Sequence, residues 1–195
     1  MNHNKRGYFG IGVEGITKPG NLGNMVRSAH AFGASFFFTV APNIDIKQVR
    51  TTDTSKAWEN LPFFEYNSLD TFQLPKKCAL VAVEFCEDSI ELPSFRHPQA
   101  AAYILGPEMG NVSPAMMSRA DHVIKIPMQF CINVGVAGAI VMYDRLLSTG
   151  RFAPRPVMTG GPDEMWEPPQ EGLRIFLRSQ RNPSSRKGKQ KIKNS

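Results

Sequence analysis

The sequence predicts an α/β fold, a mostly parallel sheet flanked by helices. Three observations carry this: continuous apolar runs of strand length, helical segments alternating with them, and turn residues at the junctions. Tyr8–Val13 alternates apolar residues with glycine in a strand-like way, Asn24–Phe32 has helical spacing, and Ser35–Val40 returns to strand with its Phe and Val, giving a βαβ opening. Cys78–Val83 and Ala101–Leu105 are unbroken apolar runs, as parallel strands covered on both faces require, and His122–Ile126 is a weaker third. Ser113 before Pro114 is a helix start that predicts a helix over Pro114–Arg119, and Val134–Leu147 reads as a long apolar helix stopping before Gly150. Five prolines and two glycines between Arg151 and Pro169 break regular structure, so a linker or substrate loop is expected there, then a short amphipathic helix near Glu171–Arg178. The expected organisation is one domain over residues 1–150, a Pro/Gly-rich segment with a short helix over 151–180, and a basic, disordered tail over 181–195.

With 195 residues and 42% hydrophobic content the chain can bury one good core but is short for two. The longest uncharged stretch, Ile126 to Tyr143, is interrupted by Pro127, Gln129 and Asn133 and falls short of the roughly 20 mainly apolar residues of a bilayer span. The N-terminus lacks the apolar run of a signal peptide, so a cytoplasmic protein with no membrane span is expected. Cys78, Cys86 and Cys131 form no C-x-x-C pair and read as core thiols, Cys131 excepted, rather than a disulfide framework or zinc site; His3, His30, His97 and His122 are scattered without ligand spacing, so no metal is expected.

Charge is informative once located. Of the net +6, Arg181, Arg186, Lys187, Lys189, Lys191 and Lys193 supply all six, leaving residues 1–180 neutral. Such a tail attracts a polyanion by counterion release, although a solvated tail with no specific partner has the same composition.

Two phosphate-loop patterns fail on context. Gly10, Gly12 and Gly15 match G-x-G-x-x-G, but they lie inside the strand-like run, Pro19 and Gly20 are expected to keep a helix from starting at once, and no acid occurs between Glu14 and Asp45. Gly10 and Gly15 also have P-loop spacing, yet Ile16-Thr17 stands where Lys-Ser/Thr is needed.

Three ordered segments remain. The first runs Pro19-Gly-Asn21-Leu-Gly-Asn-Met-Val-Arg27, a turn into a helix with an amide and a guanidinium six residues apart. The second is Ala102-Tyr-Ile-Leu-Gly106-Pro-Glu108-Met-Gly110, where glycines after a strand let the backbone approach a ligand and Glu108 is the loop carboxylate. The third, Ile126-Pro127-Met128-Gln-Phe-Cys131-Ile132-Asn133-Val-Gly-Val-Ala, is a turn that opens the last helix. Each alone has a plain reading: a surface arginine, a solvated acid, a buried helix. Together they resemble the three motifs of TrmH-type (SpoU) members of the SPOUT class of RNA methyltransferases, over roughly residues 7–148.

The resemblance implies a C-terminal trefoil knot, an exception to unknotted connectivity, S-adenosylmethionine as cofactor, and ribose 2′-O-methylation of transfer or ribosomal RNA by a homodimer. It implies catalytic roles for Arg27, Asn21, Glu108 and Asn133. Arg27 is oriented by Asn21 and Glu108, the latter through a charge-assisted bond, and stabilises the developing alkoxide, because an arginine of pKa above about 12 does not readily take a proton. It implies cofactor contacts from Ile126, Met128, Cys131 and Ile132, from Gly106 and Gly110, and from Val83 and Leu105 at neighbouring strand ends. Arg50 and Lys56, near a segment with a likeness in some relatives, are candidates for phosphate. Three departures stand out: Cys131 and Gly135 replace serines and Ile132 replaces leucine, so the orienting role of the family serine does not carry over. Two rivals remain open, an RNA-binding protein of the same fold without catalysis and a small-molecule α/β enzyme with an incidental tail.

Overall fold

The computed structural model describes residues 7–52, 57–150 and 152, all within one compact unit that ends at Phe152. The expected linker, the helix near Glu171–Arg178, the basic tail and Lys56 lie outside the described residues.

The elements run β1 (Tyr8–Glu14), α1 (Pro19–Ala31), β2 (Phe36–Val40), α2 (Ile46–Thr52), α3 (Ala57–Asn60), β3 (Phe63–Tyr66), β4 (Ala79–Val83), β5 (Ile90–Glu91), β6 (Ala100–Leu105), α4 (Pro114–Met117), β7 (His122–Lys125) and α5 (Val134–Thr149). The strands form a seven-stranded sheet ordered β3-β2-β1-β6-β4-β7-β5 in which every pair is parallel. The α/β fold with a parallel sheet flanked by helices is therefore as expected. One local expectation is corrected. Pro19 and Gly20 do not delay the first helix; α1 begins at Pro19 itself, where a missing N–H costs nothing because the first turn has no intrahelical acceptor for it.

Strand periodicity divides the core in two. Ile11, Val13, Phe37, Val81, Tyr103, Leu105 and Ile124 face the layer that contains α1 and α5, where Leu22, Met25, Val26, Val141 and Met142 are buried. Phe36, Phe38, Leu80, Ala82, Ala102 and Ile104 face the opposite layer with Phe72, Val112 and Met116. Full burial of each such large side chain contributes roughly 1.5–3 kcal/mol. The glycines of the false dinucleotide motif belong to this packing. A Cβ on Gly10 would lie 2.2 Å from the Phe36 ring and one on Gly12 2.3 Å from the Phe38 carbonyl oxygen, so β1 is bare where two phenylalanines of β2 cross it.

Helix α5 lies over the middle of the sheet. Gly138 faces Ile11 of β1, Met25 of α1 and Leu105 of β6, and Gly135 faces Asn24 and Met25, so small residues let α5 sit close to α1. Because β7 lies beyond β4, residues 126–133 travel back past the carboxyl ends of β4 and β6 to reach α5. Near the other end of α5, Arg145 is buried and donates to the carbonyls of Pro98 (2.7 Å) and Gln99 (3.0 Å) and to the Tyr103 hydroxyl (3.1 Å). His97 bridges the same Tyr103 hydroxyl and Asp144 (2.9 Å). Burial pushes the Tyr103 hydroxyl up to about 12, against the opposing pull of Arg145, so it stays a neutral member of this network.

Candidate active site at the carboxyl edge of the sheet

Open parallel sheets present ligand sites where strands end and loops begin. Here the ends of β4, β6 and β7 and the start of α5 enclose a cleft of about 360 Å³. Its walls include Val83, Leu105, Gly106, Gly110, Ile126, Met128, Cys131 and Ile132, so all eight residues expected to hold a cofactor meet in one place. Asn21, Glu108 and Asn133 line it too.

The three polar residues form a chain of hydrogen bonds linking the three motifs. Glu108 accepts from the Asn21 amide (2.9 Å) and the Lys18 backbone N–H (3.1 Å) through Oε1, and from the Thr17 backbone N–H (3.0 Å) and hydroxyl (2.7 Å) through Oε2. Asn21 Oδ1 accepts from Asn133 Nδ2 at 2.9 Å. Asn133 Oδ1 in turn accepts from the N–H groups of Gly135 (2.8 Å) and Val136 (3.3 Å), capping α5. Lys18, the N-cap of α1, offers no side-chain cap and the first turn of α1 has no acid. A carboxylate from 90 residues away fills that place, where the positive end of the helix dipole favours it. Burial raises the Glu108 carboxyl, but the bonds from Thr17, Asn21 and the backbone together outweigh it and hold the pKa at about 2.

This corrects the expectation that Glu108 orients Arg27 through a charge-assisted bond. Arg27 is exposed on α1, does not line the cleft, and makes no hydrogen bond or ion pair among the described residues. Six residues separate it from Asn21, a turn of roughly 240° about the helix axis, which places the two on different faces of α1. Arg50, the other arginine singled out, lies over the rings of Trp58 (5.3 Å) and Phe63 (4.9 Å).

Sequence reasoning did not single out seven residues of the cleft: Lys18, Glu84, Phe85, Pro107, Lys125, Val134 and Ala137. Glu84 follows the last residue of β4, a position at the carboxyl end of a strand that the sheet rule alone singles out. It accepts from the Val112 N–H at 2.7 Å, while Glu14, the last residue of β1, accepts from the Ser113 N–H (2.8 Å) and hydroxyl (2.7 Å). With Glu108, three carboxylates thus fasten the loop after β6. A Cβ on Gly106 would lie 2.7 Å from the Val112 nitrogen, because the loop folds back on its own start.

Residues 128–132 make no backbone hydrogen bond among the described residues, so their N–H and C=O groups remain available beside apolar walls. Cys131 is exposed, whereas Cys78 and Cys86 are half-buried rather than full core thiols. No cluster of three or more metal-ligating side chains occurs among the described residues, and no described helix is long and apolar enough to cross a membrane.

The SpoU rRNA Methylase family matches residues 9–143. Over 137 residues the chain is 26% identical to the tRNA (guanosine(18)-2'-O)-methyltransferase TARBP1 of Mus musculus, covering 66% of this chain but only 9% of that protein. It is 26% identical over 137 residues to the tRNA (guanosine(18)-2'-O)-methyltransferase of Thermus thermophilus, covering 68% of this chain and 71% of that one. The fold resembles that of the SpoU methyltransferase AviRb from Streptomyces viridochromogenes, solved in complex with the cofactor AdoMet, with a TM-score of 0.61 and 24% identity over 73% of this chain and 62% of that chain.

Proposed function

Because the chain belongs to the SpoU rRNA methylase family, we propose that it methylates RNA with S-adenosylmethionine, at a ribose 2′-oxygen of transfer or ribosomal RNA. The observation that carries this reading is the meeting of all three motifs in the cleft at the carboxyl edge, tied together through Glu108, Asn21 and Asn133. Relatives that are tRNA 2'-O-methyltransferases and an AdoMet complex of the same fold support it.

The cleft suits the cofactor in size and lining. About 360 Å³ lies within the range of small-molecule sites, and apolar walls beside free backbone groups are what a planar purine requires. In this reading Val83, Leu105, Ile126, Met128 and Ile132 wall the adenine. The backbone of residues 128–132 meets its polar edge, and Gly106 and Gly110 let the chain close on the rest. Cys131 contributes through its main chain, with a side chain weaker in hydrogen bonding than a serine. The bound cofactor supplies an electrophilic sulfonium methyl group.

The protein supplies position and charge. Asn21, Glu108 and Asn133 hold the start of α1 and the start of α5 in fixed register and are positioning residues. Arg27 stabilises negative charge growing on the ribose oxygen without itself taking the proton. It stands outside the cleft of its own chain, so we read the enzyme as a homodimer in which Arg27 serves the cleft of the second copy. The outer face of α5 supports this: Val136, Tyr143 and Leu146 are exposed on a helix that is apolar on nearly all sides, and Phe32 of α1 packs beside Tyr143. The return of residues 126–133 past the ends of β4 and β6 supports a trefoil knot in this part of the chain. Residues 1–150 then form the catalytic domain, with the basic residues from Arg181 onward meeting RNA phosphate. Such acceptors suit a cytoplasmic enzyme.

Calorimetric titration with S-adenosylmethionine and S-adenosylhomocysteine, alongside methyl transfer to bulk tRNA and rRNA, tests the reading. Binding of both, with transfer that disappears in Arg27→Ala while binding survives, is the expected result. Failure to bind either ligand would overturn it.

A further inference from the structure

Three large apolar side chains on the segments that form the cleft are exposed: Phe85 at 60%, Met109 at 86% and Phe130 at 78%. Phe85 is part of the wall. Met109 sits between Glu108 and Gly110, and Phe130 immediately precedes Cys131, so both exposed side chains are carried by segments whose neighbouring residues line the cleft. Val136, Tyr143 and Leu146 are exposed on another element, α5. Large apolar side chains left exposed beside a concave site mark a surface that something covers.

Charge narrows the occupant. Lys18 and Lys125 line the cleft, and neither ammonium has an ion pair among the described residues. Lys125 Nζ lies 5.6 Å from the Phe85 ring centre, over its face. The cleft's two acids, Glu84 and Glu108, are occupied with N–H groups of the chain itself. The mouth therefore combines flat or polarizable apolar surfaces with available cations while its carboxylates are engaged. That combination matches a nucleobase and its flanking phosphates, since every base offers a π-face to an aromatic ring and a phosphate to a lysine.

We propose that Phe130 and Met109 form a stacking rim that holds the base of the acceptor nucleotide, with Phe85 and Lys125 flanking it. The proposal rests on the RNA-methylation reading and adds to it the residues that orient the acceptor.

The test uses the full chain, a short single-stranded oligoribonucleotide carrying one 2-aminopurine, and bulk tRNA. Stacking quenches the 2-aminopurine fluorescence. Phe130→Ala combined with Met109→Ala is expected to lose that quench, to weaken oligonucleotide binding and to raise KM for tRNA about tenfold. Phe130→Trp restores affinity and quench. Unchanged RNA affinity and quench in the double variant would overturn the proposal, as would equal weakness of Phe130→Trp and Phe130→Ala. A shift in sedimentation of Phe130→Ala would assign the patch to a second copy and overturn it as well. The fluorescence readout needs no methyl transfer. A chain that quenches through Phe130 yet transfers nothing sinks the enzyme reading alone, and one that transfers normally without Phe130 and Met109 sinks the rim alone.

Discussion

Replacing Asn133 by alanine removes two things at once: the acceptor that caps the Gly135 and Val136 N–H groups, and the donor to Asn21. Loss of an Asn cap costs about 1 kcal/mol. The Asn133–Asn21 bond is solvent-exposed, so its loss adds about 0.5 kcal/mol. Together about 1.5 kcal/mol corresponds to a fall in Tm of roughly 3–6 °C for a chain of this size. Asn133→Asp separates the two contributions, because a carboxylate still caps α5 and suits the helix dipole but has no N–H to give Asn21. Thermal unfolding followed by circular dichroism on wild type, Asn133→Ala, Asn133→Asp, Asn21→Ala and the Asn21→Ala/Asn133→Ala double variant closes the cycle. The aspartate should lose less than half of what the alanine loses, and the two alanines should be non-additive. A fall in Tm under about 1 °C for Asn133→Ala, or equal falls for alanine and aspartate, would refute the assignment of Asn133 as the pin between α1 and α5.

Gly12→Ala should destabilise by about 3 kcal/mol in chemical denaturation, because its methyl would collide with the Phe38 backbone; Gly20→Ala, with nothing within 4 Å, should instead stabilise by about 0.5 kcal/mol. Arg145→Met should cost about 3 kcal/mol in the same assay, since it leaves the Pro98 and Gln99 carbonyls without their donor in the interior. Glu108 has a folded pKa of about 2, below its ordinary 4.5, so the stability it contributes is fully present above that ordinary value and is lost as pH falls toward 2. Denaturant midpoints measured across that interval should fall with pH in the wild type and fall less in Glu108→Gln.

The fold was legible where the apolar runs were long. β1, β2, β4 and β6 are buried on both faces, and an unbroken apolar run is the direct record of that. β5 has two residues and β3 four half-exposed ones, so neither carries a run that sequence alone can separate from loop; pairing with β7 and β2 makes them strands. The residues that line the cleft were legible through the resemblance of the three motifs, which fall at strand ends and helix starts. The expected Glu108–Arg27 bond is not formed within the chain, because Glu108 is taken up by Thr17, Lys18 and Asn21. Glu108 proved to be the cap of α1, a role visible only once residues 17 and 108 are brought together.

The place of β1 in the sheet also governs how the chain is made. Its first neighbour, β2, emerges directly after it, but its other edge waits for Ala100–Leu105, and the sheet face around Ile11 waits for Gly138 of α5. A nascent chain halfway through synthesis therefore carries an open central edge and an uncovered apolar face, both adhesive to other chains. With so many pairings between distant residues, slow folding is expected, completed only after α5 leaves the ribosome. A chain cut before α5 would accordingly be a template for aggregation rather than a smaller working enzyme.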